Sequence, residues 1–170
     1  YLYNREPVPE ALAWIDSEMQ VMLSMQRPNG HIEDWYGEGN FNRTALLYAY
    51  MKSQGARPDH WLPGMRVGGV REGDRLYLSI ESAAPTTIRF DLARHKRYLN
   101  FDRNYVRLNE FPEWFTVDEN TLYRLRPAAA PAKEQVLLGS ELISGVAMAP
   151  GDWIVEPFGK APYAKQNAER

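Results

Sequence analysis

Two consecutive stretches of the sequence, Arg75–Glu81 (RLYLSIE) and Thr86–Leu92 (TTIRFDL), decide the fold of this chain. Apolar side chains stand at every second position of both: Leu76, Leu78, Ile80, Ile88, Phe90 and Leu92. Successive side chains of a strand point to opposite faces, so this alternation places all six on one buried face. The pattern predicts two strands, each with one apolar face directed inward.

Further short strand candidates follow at intervals of roughly ten residues, the spacing typical of an antiparallel sandwich or barrel. They are Lys96–Phe101, Glu113–Val117, Leu122–Leu125, Gln135–Leu138, Val146–Met148 and Trp153–Val155. Turn-forming residues separate strands at 71–74, 118–120 and 150–152. We therefore expect residues 63–158 to form the β region. Residues 159–170 are a polar tail that we expect to fray.

Before residue 63 the periodicity is helical. Five apolar residues share one helical face from about Pro9 to Met25: Leu12, Ile15, Met19, Met22 and Leu23. Trp14, Val21 and Met25 form a second stripe, so this helix needs neighbours on two sides. A loop with several glycines follows. A second helix, capped by Asn40 or Asn42, should stop where Gly55 takes a left-handed conformation. Residues 1–62 are thus predicted to form a helical hairpin region.

Composition excludes several classes of protein. The chain has 170 residues, of which 5 Trp, 10 Tyr and 6 Phe supply ample surface to bury, against intrinsic disorder. A net charge of -2 argues against nucleic-acid binding, and no apolar run is long enough for a membrane span. The absence of cysteine excludes thiolate metal sites and fits a bacterial cytoplasm or periplasm equally. Because the chain begins at Tyr1, we expect a processed chain or part of a longer one.

The order of a helical hairpin and then antiparallel strands resembles a known architecture. The residues that carry the likeness are 25–55, 90–101 and 109–117. They resemble the C-terminal portion of carbohydrate-active enzymes with an (α/α) toroid and a β-sandwich, among them polysaccharide lyases and glycoside hydrolases. The resemblance implies an α+β fold, a hairpin that is part of a toroid, and a following β-sandwich. It also implies a fragment or subunit that cleaves an acidic, uronate-containing polysaccharide by hydrolysis or β-elimination.

The loop between the two helices holds the densest group of polar and aromatic residues, and hairpin loops of a toroid line the substrate cleft. Its candidates are His31, Glu33, Asp34, Trp35, Tyr36, Glu38, Asn40 and Arg43. For hydrolysis, Glu33 and Asp34 are candidate general acid and base. For β-elimination, His31 or Tyr36 is the candidate base. The others, among them Trp35 as a stacking ring, are candidate substrate-binding residues. The alternative is a loop of solvated charges with Trp35 packed beneath it.

A basic segment around Arg94 and Arg97 is a second candidate for substrate binding, because arginine pairs with carboxylates in a bidentate manner. The alternative is an outward strand face kept soluble by its charges. The motif H-x-E-D at His31 matches no established zinc spacing, and the loop lacks the pattern of an EF-hand. We therefore expect no metal and no other cofactor.

Two other functions stay open at the level of sequence. The chain could be a non-catalytic β-sandwich module that binds glycan or another protein, or a structural domain that supports a helical toroid. The expected partners are a polysaccharide or oligosaccharide and either the missing helical part of the same protein or a second copy of the chain. The apolar stripe on the first helix motivates this last expectation.

Overall fold

A computed structural model of the chain describes residues 3, 6, 8–32, 39–105 and 112–160. It confirms a mixed α and antiparallel β architecture, the α+β class. The helices are α1 (Pro9–Ser24), α2 (Asn40–Lys52), α3 (Arg94–Arg97) and α4 (Gly139–Ser144), with a 3-10 turn at Pro131–Lys133. The strands are β1 (Arg57–Pro58), β2 (Arg66–Glu72), β3 (Arg75–Glu81), β4 (Thr86–Arg89), β5 (Asp91–Leu92), β6 (Thr116–Val117), β7 (Thr121–Pro127), β8 (Gln135–Leu138), β9 (Val146–Met148) and β10 (Gly151–Lys160).

The α1–α2 hairpin has a small core of its own. Met19, Met22 and Ile32 are buried there, and Ile15, Ala45 and Tyr48 pack against them. Pro9 begins α1, where a proline costs no helical hydrogen bond. After α2, Gly55 has a φ of +85° and donates to the Tyr50 carbonyl at 2.8 Å, as its sequence position predicted.

The strands form three sheets. The largest is antiparallel, with five strands in the order β2-β3-β10-β7-β8. A second sheet has the order β1-β4-β9, and β5 pairs with β6 in parallel. Strand β1 begins soon after α2 ends. It pairs with β4, with Arg57 opposite Arg89 and Pro58 opposite Ile88.

One hydrophobic core joins the sheets. The alternation in β3 is confirmed, because Leu76, Leu78 and Ile80 are buried while the residues between them are exposed. Other members of this core come from the same sheet, from the two smaller sheets with the residue that links β4 to β5, and from α4: Leu125, Val155, Ile88, Phe90, Val117, Met148 and Leu142. Outside this core, the solvent side of the five-stranded sheet is free to carry a binding surface.

Several local predictions were wrong. Lys96–Phe101 is not a strand: α3 ends within it, and Asn100 has a φ of +53°, which strands do not use. Neither Asn40 nor Asn42 caps α2, because Gly39 occupies the N-cap with a left-handed backbone. The sequence also missed β2, since its two central glycines disfavour a strand prediction.

The second apolar stripe of α1 is exposed, as its spacing predicted. Trp14 is 66% exposed, Val21 61% and Met25 53%. In α2 no residue is fully buried, and Phe41 and Leu46 are exposed. The hairpin therefore presents apolar surface that its own two helices do not cover.

Candidate functional site

A cleft of about 960 Å³ lies between the helical hairpin and the solvent side of the five-stranded sheet. The start of α1 contributes Leu12, and the end of α2 contributes Lys52 and Gln54. Four aromatic residues are among its described lining: Tyr3, Tyr77, Trp114 and Trp153. The cleft combines stacking surfaces with a few charged groups, as ligand sites generally do.

The strand register builds the floor of the cleft. Val70 of β2, Tyr77 of β3 and Ile154 of β10 pair across the sheet in one row. Gly68, Ser79 and Asp152 pair in the next row. Because side chains alternate along a strand, burying Leu76 and Leu78 in the core turns Tyr77 and Ser79 outward into the cleft.

Gly69 lets the end of α2 come close to the sheet. A Cβ at this position would lie 2.8 Å from the Ser53 carbonyl oxygen and 3.1 Å from the Leu76 side chain. Ser53 itself is fully buried. A glycine disfavours a strand prediction, but at this position it leaves room for the end of α2 to approach the sheet. Lys52 and Gln54 therefore lie at the edge of the cleft.

Trp114 is the most informative residue of the cleft. The residue is part of the lining although it is only 7% exposed. Its indole Nε1 is buried and has no hydrogen-bond partner among the described residues. Its backbone carbonyl accepts a hydrogen bond from Arg71 Nη1. A buried donor without a partner costs about 1–3 kcal/mol and is an uncommon feature of a folded protein.

Lys52 forms an ion pair with Asp16 of α1. Its Nζ lies 3.1 Å from each carboxylate oxygen of Asp16, and the Tyr48 hydroxyl donates to Asp16 Oδ1 at 2.7 Å. Partial burial raises the pKa of Asp16, but the hydrogen bonds from Tyr48 and Lys52 outweigh this and leave that pKa below its usual value. Burial, and then the hydrogen bond to Asp16, raise the pKa of Tyr48 to about 12.

Behind Trp114 lies a cluster of partly buried ionisable side chains. Glu113 Oε2 lies 2.6 Å from His95 Nδ1, and Glu113 Oε1 accepts from the His95 backbone N–H at 2.9 Å. Arg94 Nη2 lies 3.0 Å from Asp91 Oδ2. Burial raises the pKa of Asp91, more than the attraction of Arg94 lowers it. The cluster fixes residues 112–117 against α3 and so positions Trp114.

The residues predicted from the interhelical loop lie elsewhere. Positions 33–38, which include Glu33, Asp34, Trp35, Tyr36 and Glu38, fall outside the described residues. His31, Asn40 and Arg43 lie at the loop end of the hairpin and are not part of the described cleft lining. Asn40 and Lys52 are the first and last residues of α2, so the two ends are about 18 Å apart at 1.5 Å per residue.

Arg94 and Arg97 also lie outside the described lining of the cleft. Arg94 is held by Asp91 and by the Pro112 carbonyl, with Nη2 to the latter at 3.4 Å. Arg97 is largely exposed, and its Nη2 lies 3.7 Å from Glu119. Sequence reasoning missed Trp114, Tyr77 and Arg71. Tyr77 could have been found, because it is the outward aromatic of a strand that was correctly predicted.

Among the described residues, no group of three or more histidine and acidic side chains is arranged to hold a metal ion. Within the same residues, no helix has both the length and the apolar character that crossing a bilayer requires.

The fold and the cleft together define an α+β protein with an aromatic cleft between a helical hairpin and an antiparallel sheet. Comparison with protein families, with curated proteins and with solved structures found no match.

Proposed function

We propose that this chain binds a polysaccharide in the cleft, as the glycan-binding part of a carbohydrate-active enzyme. The observation that carries the proposal is Tyr77, an aromatic side chain that faces outward from β3 into the cleft, in the same row as Val70 and Ile154. A ring in this position offers a stacking surface for the apolar face of a sugar. The proposed architecture is a β-sandwich that follows a hairpin of an (α/α) toroid.

The other cleft residues suit the same ligand. The Tyr77 ring buries a large area with few rotatable bonds, which suits stacking on a sugar. Lys52, Arg71 and Asp152 supply charged donors and acceptors for hydroxyl groups. Gly68, in the row next to Tyr77, keeps the floor low beside this ring.

Cleavage by hydrolysis or β-elimination is the enzymatic form of this proposal. Hydrolysis uses two carboxyl groups about 5–10 Å apart. Among the described residues that line the cleft, Asp152 is the carboxylate. Catalysis in this chain therefore depends on His31, Glu33, Asp34 or Tyr36 of the interhelical loop. The cleft geometry favours binding as the function.

The test is isothermal titration of the purified chain with oligosaccharides of polygalacturonate, alginate, chondroitin sulfate, xylan and cellulose. The Tyr77→Ala variant removes the outward ring of the cleft, and we expect it to bind about tenfold more weakly. Tyr98→Ala is the matched control, because Tyr98 is exposed and is not part of the described lining. The same mixtures are assayed for unsaturated uronates and for new reducing ends, which separates a lyase from a hydrolase.

The proposal fails if no oligosaccharide of this panel binds, or if Tyr77→Ala and Tyr98→Ala both bind as tightly as the parent chain. Binding without new products supports a non-catalytic module. Products that disappear in Glu33→Gln or Asp34→Asn support the enzymatic form.

A further inference from the structure

The solvent side of the five-stranded sheet carries an arginine patch, which we define as Arg75, Arg124 and Arg126 around Glu156. Glu156 of β10 pairs with Arg124 of β7, and Ile154 pairs with Arg126. Arg75 lies on β3, the other neighbour of β10, directly before Leu76, which pairs with Val155. Two residues along a strand span about 7 Å, so the patch directly adjoins the cleft floor formed by Tyr77 and Ile154.

Three guanidinium groups share the single carboxylate of Glu156. Arg75 Nε lies 2.7 Å from Oε2, while Arg126 Nη2 and Arg124 Nη1 lie 3.5 Å and 3.8 Å from Oε1. Glu156 is only 9% exposed, whereas more than half of the Arg75 side chain is exposed. The carboxylate is therefore the buried centre of the patch, and the guanidinium groups form its outer surface.

Donors outnumber acceptors in the patch. Each guanidinium carries five N–H groups, whereas a carboxylate offers about four acceptor positions. Arg124 Nε is buried and lies 3.3 Å from Glu134 Oε2, yet its direction does not make a hydrogen bond. Glu72 lies in register opposite Arg75, so three acidic residues, Glu72, Glu134 and Glu156, roughly balance the three arginines. The patch therefore has little net charge, and what distinguishes it is the excess of N–H donors over acceptors.

Phe158 completes the patch. Its ring lies 4.3 Å from Arg124 Cζ, and 52% of the residue is exposed. A guanidinium stacked on a ring keeps a fixed plane with its N–H edge available, the geometry that bidentate binding of a planar anion requires. An exposed aromatic ring beside cationic donors extends the character of the cleft along the sheet.

We propose that the arginine patch is a subsite for the anionic group, carboxylate or sulfate, of a polysaccharide whose rings lie in the cleft. This inference rests on the proposed function and adds the chemical class of the ligand to it. Arg94 and Arg97, the arginines that the sequence favoured for this task, pair with Asp91 and Glu119 instead. The patch differs from them because three arginines compete for one buried carboxylate.

The experiment is a titration of the full chain with three oligosaccharides of equal length. These are an oligogalacturonate, the same oligosaccharide with its carboxyl groups reduced to alcohols, and a sulfated galactan without uronate. Binding is measured by calorimetry at two salt concentrations, and the arginine Nε–H signals are followed by NMR. Comparing the first and third ligands distinguishes a carboxylate from a sulfate.

Arg75→Gln and Arg126→Gln are the test variants, because each leaves Glu156 with two arginine partners. Arg66→Gln is the matched control, since Arg66 is a largely exposed arginine of β2 that lies at the opposite end of the same sheet. We expect each test variant to bind the anionic ligand about tenfold more weakly and the reduced ligand unchanged. The control should bind both as the parent chain does.

Tighter binding of an anionic ligand than of the reduced one, lost in both test variants, supports the subsite. Equal binding of all three ligands, unaffected by Arg75→Gln and Arg126→Gln, overturns the subsite but leaves glycan binding in the cleft intact. Failure of all three ligands to bind overturns both. Thermal melting of each variant separates a loss of donors from a loss of fold.

Discussion

Glu113 receives two hydrogen bonds from His95, one from the backbone N–H to Oε1 at 2.9 Å and one from Nδ1 to Oε2 at 2.6 Å. Both side chains are largely buried. The pair joins α3 to the segment that places Trp114 in the cleft. Because both oxygens of Glu113 are used, its removal leaves two donors of His95 without their acceptor.

We therefore expect Glu113→Ala to lower the free energy of unfolding by about 2–3 kcal/mol, the range for a buried, hydrogen-bonded carboxylate. Urea unfolding followed by tryptophan fluorescence measures this. Glu119→Ala is the control, because the Glu119–Arg97 pair is exposed and 3.7 Å long, and it should change stability by less than about 0.5 kcal/mol. Equal effects of the two substitutions would contradict the role given to Glu113.

Gly69→Ala should destabilise the chain by about 1–3 kcal/mol, since its Cβ would meet the Ser53 carbonyl oxygen at 2.8 Å. Backbone cannot rotate away as a flexible side chain does, so α2 must shift from the sheet. Gly159→Ala is the matched control: it also lies in a strand, but a Cβ there meets nothing within 4 Å. The melting temperatures of both variants test this prediction. An unchanged melting temperature of Gly69→Ala would contradict the close approach of the Ser53 carbonyl to β2.

Trp114→Phe should have little effect on stability. The substitution removes a buried donor that has no partner among the described residues, and this offsets the packing lost with the larger ring, so we expect a change of less than about 1 kcal/mol. Thermal melting of parent chain and variant measures the difference. A large loss of stability would mean that the indole N–H is already satisfied in the folded chain.

The Asp16–Tyr48 hydrogen bond should limit hairpin stability at both ends of the pH scale. The pKa of Asp16 is lowered, so its contribution is present above the unfolded value near 3.8 and is lost as pH falls through the folded value. The pKa of Tyr48 is raised from 10.0 to about 12, so its contribution is present below pH 10 and is lost between pH 10 and 12.

Tyr48→Phe tests this pH dependence. The variant should lose less stability than the parent chain between pH 10 and 12, because it has no hydroxyl proton to lose. Urea unfolding across that range measures the difference. Tyr98→Phe serves as the control, since Tyr98 is the exposed tyrosine of another segment. Identical alkaline profiles of parent and Tyr48→Phe would contradict the prediction.

The exposed stripe of Trp14, Val21 and Met25 should drive self-association of the purified chain. Light scattering coupled to size exclusion should show dimers or larger species whose share grows with concentration. Replacing Trp14 and Val21 by glutamine should shift the chain to monomer, whereas Glu18→Gln on the same helix should not. A monodisperse parent monomer at high concentration would count against this prediction.

The sequence predicted the features that depend only on a residue and its close neighbours in the chain. The alternation of β3 predicted its buried face, since strand geometry alone assigns every second residue to one side. Pro9 and Gly55 marked helix boundaries because their allowed backbone angles are intrinsic to the residue. The strand predicted at Lys96–Phe101 was wrong because Asp91 and Glu113, neighbours outside the segment, hold Arg94 and His95 in a helical turn.

The sequence by itself determined the α+β class, the hairpin followed by strands, and the aromatic supply that a cleft needs. Tertiary structure decided which aromatics and arginines meet. Trp114 follows Glu113, which pairs with His95 eighteen residues earlier in the chain, and Arg75, Arg124 and Arg126 converge through the register of β3, β10 and β7. Register and ion pairing join residues far apart in the chain, and local propensity contains no information about such partners.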